Sequence, residues 1–205
     1  MTVQYPKGFQ PRQAKAIVQA KQKTDIKSFS KRGIGLEDEI NEANAYYLAN
    51  NLAVIHKKPT PITIVKVDYP NRAMAKITEA YFNKASTTDY NGLYQGKYID
   101  FDAKETRNKT NFPLKNFHEH QMLHLKRILI QGGVGFVIIR FTSLDESYVY
   151  PAEALIAHYE AKDGKKSIPY ADIARDGFLI EKQLQPALDY LRAVDVWLEN
   201  LDNKE

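Results

Sequence analysis

A mixed β-sheet with helices packed against it is the fold class this chain predicts, and three observations predict it. Short runs rich in β-branched and apolar residues, such as ITIVKVD at 62–68 and GFVIIRF at 135–141, alternate with stretches whose apolar positions recur at helical spacing. The elements read as α, β, β-α, β-β, α, β, β, α with further helices, which is not the regular repeat of a doubly wound sheet. No Gly-rich phosphate loop follows a strand, so an NTPase or dinucleotide fold has no support. A chain of 205 residues suits one domain with an appendage.

Taken in order, Leu36, Ile40, Ala43, Tyr47 and Leu48 predict a helix over 34–49, with acids in its early turns as the helix dipole prefers. LAVIHKK at 52–58 reads as a strand, broken by Pro59 and Pro61. ITIVKVD is a second strand, closed by Pro70-Asn71, and RAMAKITEAYFNK after it reads as helical. Together, about 59–84 form an excursion from the core, bounded by prolines. Two β-like stretches around Gln95-Gly96 predict an antiparallel hairpin of 89–94 and 97–105. A helix over 117–131 ends at Gly132-Gly133. Strands at 135–141 and in SYVYP follow, then a helix near 151–160 and a Gly/Lys-rich loop at 162–167. PALDYLRAVDVWLEN at 186–200 closes the chain as an amphipathic helix, with Leu188, Leu191, Val194, Leu198 and Leu201 near one face.

Charge is graded along the chain. Residues 1–32 hold eight Lys/Arg against one Asp, 33–127 are nearly balanced, and 128–205 are acidic, for a net charge of +4 overall. A polyanion-binding surface is therefore expected in the first two-thirds. Residues 1–30 form a basic arm, expected to be disordered when free, and 31–205 form a single domain. With 43% hydrophobic and 26% charged residues, neither general disorder nor a membrane protein is indicated. No cysteine occurs, which excludes a disulfide scaffold, a thiol nucleophile and a thiolate metal site. No signal-like h-region or spanning stretch is present, so a soluble cytoplasmic protein with no membrane partner is expected.

The informative segment is Asp89 followed by Asp100-Phe101-Asp102-Ala103-Lys104-Glu105. On a strand, Asp100, Asp102 and Lys104 share one face, with Phe101 and Ala103 on the other. Hairpin pairing can bring Asp89 against Asp102. Two converging carboxylates repel unless a divalent cation lies between them, and hard oxygen donors suit Mg²⁺, with Mn²⁺ as substitute. Lys104 beside them is placed to offset charge on a phosphate transition state. The plainer reading of the same residues is a solvated strand with an ordinary ion pair.

The stretches RGIGLEDEINEANAYYLAN, HKKPTPITIVKVDYP and ASTTDYNGLYQGKYIDFDAKETRNKTNFPLKNFHEHQ resemble the RecU family of bacterial Holliday junction resolvases over nearly the whole chain. The resemblance implies a restriction-endonuclease-like mixed α/β core, with the excursion at about 59–84 as a stalk that enters the junction. It implies a homodimer that nicks a four-way DNA junction symmetrically, leaving 5′-phosphate ends, in recombination, repair and chromosome segregation. It further implies nucleoid association, and recombinases and branch-migration motors as partners. By position, it makes Thr87, Asp89, Asp102 and Gln121 the metal-binding set and Lys104 the transition-state stabiliser, with Glu37 as an additional acid. Arg32, Lys57, Lys58, Lys66, Arg72 and Lys76 are then candidates for phosphate contact, with Tyr81 and Phe82 for stacking on bases. The family usually carries Glu at the position of Asp102. Activity is expected to persist with a changed rate or metal preference, because positioning is sensitive at the scale of one methylene.

Other residues carry less. His120 and His124 lie one helical turn apart, but without thiolates or an H-E-x-x-H pattern zinc is not expected. His118, His120 and His124 read as helix-face residues, and Trp197 as packing. Two competing classes stay open on sequence alone: a junction-binding protein that does not cleave, and a duplex nuclease of the restriction type.

Overall fold

The computed structural model describes residues 35–70, 74–83, 87–161 and 164–202. The expected N-terminal arm, Arg32 and Arg72 lie outside the described residues.

Six strands form the central sheet: β1 (Ala53–Lys57), β4 (Tyr90–Tyr94), β5 (Lys97–Thr106), β7 (Val134–Phe141), β8 (Glu146–Pro151) and β10 (Phe178–Leu179), hydrogen-bonded in that order. β5 and β7 are parallel, and the other neighbours are antiparallel, so the sheet is mixed as expected. The β4–β5 hairpin turns at Gln95-Gly96, where φ is 48° and 76°; two consecutive left-handed residues are what a tight hairpin turn needs.

Alternation along the strands separates two cores. Ile99, Phe101, Phe136 and Ile138 pack against α1 (Leu36–Ala49) and α5 (Tyr190–Asp202). Val137, Ile139 and Phe141 face the other way, onto α2 (Glu119–Ile130), α3 (Ala152–Glu160) and α4 (Tyr170–Asp176). Trp197 packs edge-on to Phe136 in the first core. Leu188, Leu191 and Val194 are buried there too, although α5 starts at Tyr190, later than the periodicity predicts, and Leu201 is exposed. A small two-stranded sheet of β6 (Asn111–Pro113) and β9 (Ser167–Pro169), unmarked by periodicity, closes the second core with Phe112 and Ile168.

One expectation is overturned. The segment read as a helix after Asn71 is a strand, β3 (Lys76–Phe82), paired antiparallel with β2 (Ile62–Asp68) in a separate two-stranded sheet. All of β3 and all but Val67 of β2 are exposed. An amphipathic helix gains its stability by burying one face, and no core is present here to receive it. Cross-strand pairing of the β-branched and aromatic residues, such as Ile62 with Phe82 and Thr63 with Tyr81, satisfies the backbone instead.

Candidate active site

The platform of the site is aromatic. Tyr90, Phe101 and Phe136 stand at matched register on β4, β5 and β7, with ring centroids 4.9 and 4.6 Å apart in stacked geometry. These buried rings lock the register of the three strands. A one-residue slip of β5 would turn its acids into the wrong core. With Phe101 on the α1/α5 side, Asp100, Asp102 and Lys104 share the α2 side, as alternation predicts. Gly135 of β7 lies beside Asp100 on this face; a Cβ there would meet Ala152 and Leu125 at 3.3 Å, so the glycine lets α2 and α3 approach closely.

Extending the β4–β5 register by one residue from Tyr90↔Phe101 sets Asp89 opposite Asp102. Asp102 is 1% exposed. Its Oδ1 lies 2.7 Å from Lys104 Nζ and accepts the Ala103 N–H at 2.7 Å, while its Oδ2 accepts Gln121 Nε2. Burial raises the pKa of Asp102, Lys104 opposes that, and the charge of Asp89 adds to it. Burial and the charges of Glu37, Asp89, Asp102 and Asp38 likewise hold the Tyr90 phenol well above its usual range, which places these acids in one electronegative region.

Glu37 in the first turn of α1 reaches this region and pairs with Lys57. That contact, with further contributions from Asp89 and Asp38, raises the Lys57 pKa. Glu37, Lys57, Lys58, Pro59, Thr60, Pro61, Thr87, Thr88 and Asp89 line a cleft of about 370 Å³. Thr87, Asp89 and Glu37 thus share this cleft, while Lys104 and Gln121 both contact Asp102 on β5. Lys66, Lys76, Tyr81 and Phe82 lie on the exposed β2–β3 hairpin. Sequence reasoning gave no role to His124, whose Nε2 stands 3.1 Å from Asp100 Oδ2. The signal was its place one turn after Gln121, on the helix face turned to β5. His118 and His120 stack on each other at 5.4 Å.

A hard divalent cation fits this donor set. One carboxylate, Asp102, is desolvated and raised in pKa with the charge of Asp89 contributing, and Thr87 lines the cleft with Asp89. Among the described residues no group of three or more His, Asp or Glu forms a metal cluster, so neutral oxygens must complete any shell. Gln121 is turned the other way: Nε2 faces Asp102, and Oε1 accepts the His118 N–H at 3.1 Å as a cap on α2.

A buried carboxylate with an ammonium on it, near a second acid, is chemistry suited to a nuclease-type enzyme. The sequence model of RecU, Recombination protein U, matches residues 31–196, and the chain belongs to that family. It is 65% identical to the Holliday junction resolvase RecU of Leuconostoc citreum, over 98% of this chain and 100% of the relative. It is 55% identical to that of Oenococcus oeni, over 94% and 96% of the two chains. Among solved structures, the Holliday junction resolvase Hjc of Archaeoglobus fulgidus aligns at a TM-score of 0.40 and 8% identity, over 69% of this chain and 95% of Hjc, too distant a likeness to bear on the fold.

Proposed function

We propose that this protein is a metal-dependent endonuclease that resolves four-way Holliday junctions in recombination and repair. The observation that carries the reading is Lys104 on the buried Asp102, one residue along from the Tyr90↔Phe101 pair that Asp89 precedes, in a chain of the RecU family. Asp89 and Asp102, completed by Thr87 and by Gln121 once its amide turns over, would hold Mg²⁺ or Mn²⁺. Such an ion supplies positive charge against a phosphate oxygen and acidifies water. The protein's own part is to place the groups. The aromatic platform fixes where Asp102 stands, and Asp102 in turn directs Lys104 Nζ. Lys104, partly exposed, offers a compact cation to the charge that develops on the scissile phosphate.

The core is read as restriction-endonuclease-like, and the β2–β3 hairpin as the stalk. The hairpin is exposed on both faces, carries Lys66 and Lys76, and presents Tyr81 and Phe82 to solvent. A homodimer follows from the chemistry, because two symmetric nicks need two sites related by a two-fold axis. Nucleoid-associated work in the cytoplasm accords with this role.

The test is cleavage of an end-labelled mobile four-way junction beside linear duplex, with Mg²⁺, Mn²⁺ or EDTA. Paired nicks on the junction alone, lost in EDTA and in Asp89→Asn while junction binding persists, are expected. Undiminished cleavage by Asp89→Asn overturns the assignment. Tight binding without product under either ion leaves a junction-binding protein, in which the short Asp102 carboxylate is the first suspect.

A further inference from the structure

Two residues before Asp102 on the same strand face, a second acid is fully buried and lies outside the proposed donor set. Asp100 is 0% exposed. Its Oδ1 accepts the Thr88 hydroxyl, and its Oδ2 accepts Lys58 Nζ at 2.8 Å and the Tyr98 hydroxyl at 2.9 Å. His124 Nε2 lies 3.1 Å from Oδ2, out of line for a hydrogen bond. Lys58 Nζ also donates to Thr88 Oγ1 at 2.9 Å, which closes a triangle of Asp100, Lys58 and Thr88. Fold stability alone is a poor reason for such an arrangement, since a buried ion pair is often no better than apolar residues of the same volume.

The triangle grips the segment that carries the site. Thr88 is 2% exposed, and its neighbours Thr87 and Asp89 are partly exposed on the cleft. The Lys58 N–H donates to the Asp89 carbonyl at 2.7 Å, so one residue holds the segment by both backbone and side chain. Lys58 itself lines the cleft beside Asp89 and Glu37, with its side chain 20% exposed. Its ammonium is drawn inward onto Asp100, and a cation near Asp89 does not have to compete with it.

We infer that Asp100 is a positioning residue: through Thr88 and Lys58 it sets the Thr87–Asp89 segment in the cleft and keeps the Lys58 charge off Asp89. Lys58 serves the acid and is not primarily a phosphate contact. The inference rests on the metal-site reading above.

Binding of Mn²⁺ to the full chain, followed by the electron paramagnetic resonance signal of the free ion, tests it apart from turnover. Asp100→Asn, which releases Lys58 toward Asp89, is expected to weaken Mn²⁺ binding ~10–100-fold, the range for groups that orient metal ligands. The double variant Asp100→Asn/Lys58→Met removes both charges and recovers most of that loss. Should Asp100→Asn fail to fold by circular dichroism, Thr88→Val weakens binding while Thr88→Ser retains it. Unchanged Mn²⁺ affinity in Asp100→Asn, or no recovery in the double variant, overturns the inference; in the fallback pair, equal affinities do so. Asp89→Asn reports separately: wild-type Mn²⁺ affinity in that protein removes the metal-site reading itself, whereas its loss beside an unaffected Asp100→Asn removes only the inference.

Discussion

Gln121 is held by two partners at once, donating Nε2 to the buried Asp102 carboxylate and accepting the His118 backbone N–H on Oε1. In this state it neutralises one lone pair of Asp102 and caps α2 with the same amide. Gln121→Glu replaces the donor by a second carboxylate facing a buried one. Without divalent cation the variant is expected to lose about 1–3 kcal/mol, the penalty of an unsatisfied buried group. Mg²⁺ should return part of it. Thermal melts with Mg²⁺ and with EDTA check this, and a wild-type melting point in EDTA contradicts the contact.

Asp102 links the site to pH. Burial and Asp89 raise its pKa against the pull of Lys104. A carboxyl with a higher pKa in the fold than in the unfolded chain destabilises the fold when ionised. That penalty is complete above the folded pKa and fades as pH falls through it toward the unfolded value. Metal-free Asp102→Asn is therefore expected to melt a few degrees above wild type near neutral pH, with the difference shrinking in acid. An Asp102→Asn protein that melts below wild type near neutral pH would falsify this account.

At Gly92, β4 lies close against β1, opposite Ile55. A Cβ there would lie 2.1 Å from the Val54 carbonyl oxygen and 2.6 Å from Ile55 Cα, both backbone atoms that cannot move aside. Gly92→Ala should cost ~3 kcal/mol or more. It should also loosen β1, which carries Lys57 and leads into Lys58. Urea unfolding measures the first effect, and junction cleavage at low temperature the second.

The hairpin separates binding from folding. Tyr81 and Phe82 are 61% and 84% exposed, so Tyr81→Ala and Phe82→Ala should leave the melting point within the scatter of ordinary surface substitutions. Loss of base stacking, worth about 1–3 kcal/mol per base, should weaken binding to the four-way junction by roughly fivefold or more. Affinity for linear duplex is the control. Equal losses on both substrates would count against insertion at the junction centre.

Much of the site was legible because strand alternation is rigid. Once Gln95-Gly96 is read as the turn, the parity of Asp100, Asp102 and Lys104 follows, and so does the approach of Asp89 to Asp102. The nature of β3 was not legible. RAMAKITEAYFNK carries helical spacing, but Lys76–Phe82 within it form a strand whose described residues are all exposed, with no apolar face buried. Nor were the partners of Asp100, because Thr88 and Lys58 lie just outside the paired strands and His124 depends on how α2 docks. Gln121 and His124, three residues apart on the helix, meet Asp102 and Asp100, two apart on the strand. Gln121 entered the site through family resemblance alone. Glu37 needed the fold to show it paired with Lys57 at the cleft rim.

Among the described residues, none of β2 or β3 belongs to either hydrophobic core. Nearly every position along it can therefore be rewritten without consequence for folding, provided the two strands still pair. Selection on these residues is left to act through whatever the hairpin meets outside the protein. Among related chains its sequence should vary more freely than the stacked rings beneath the acids.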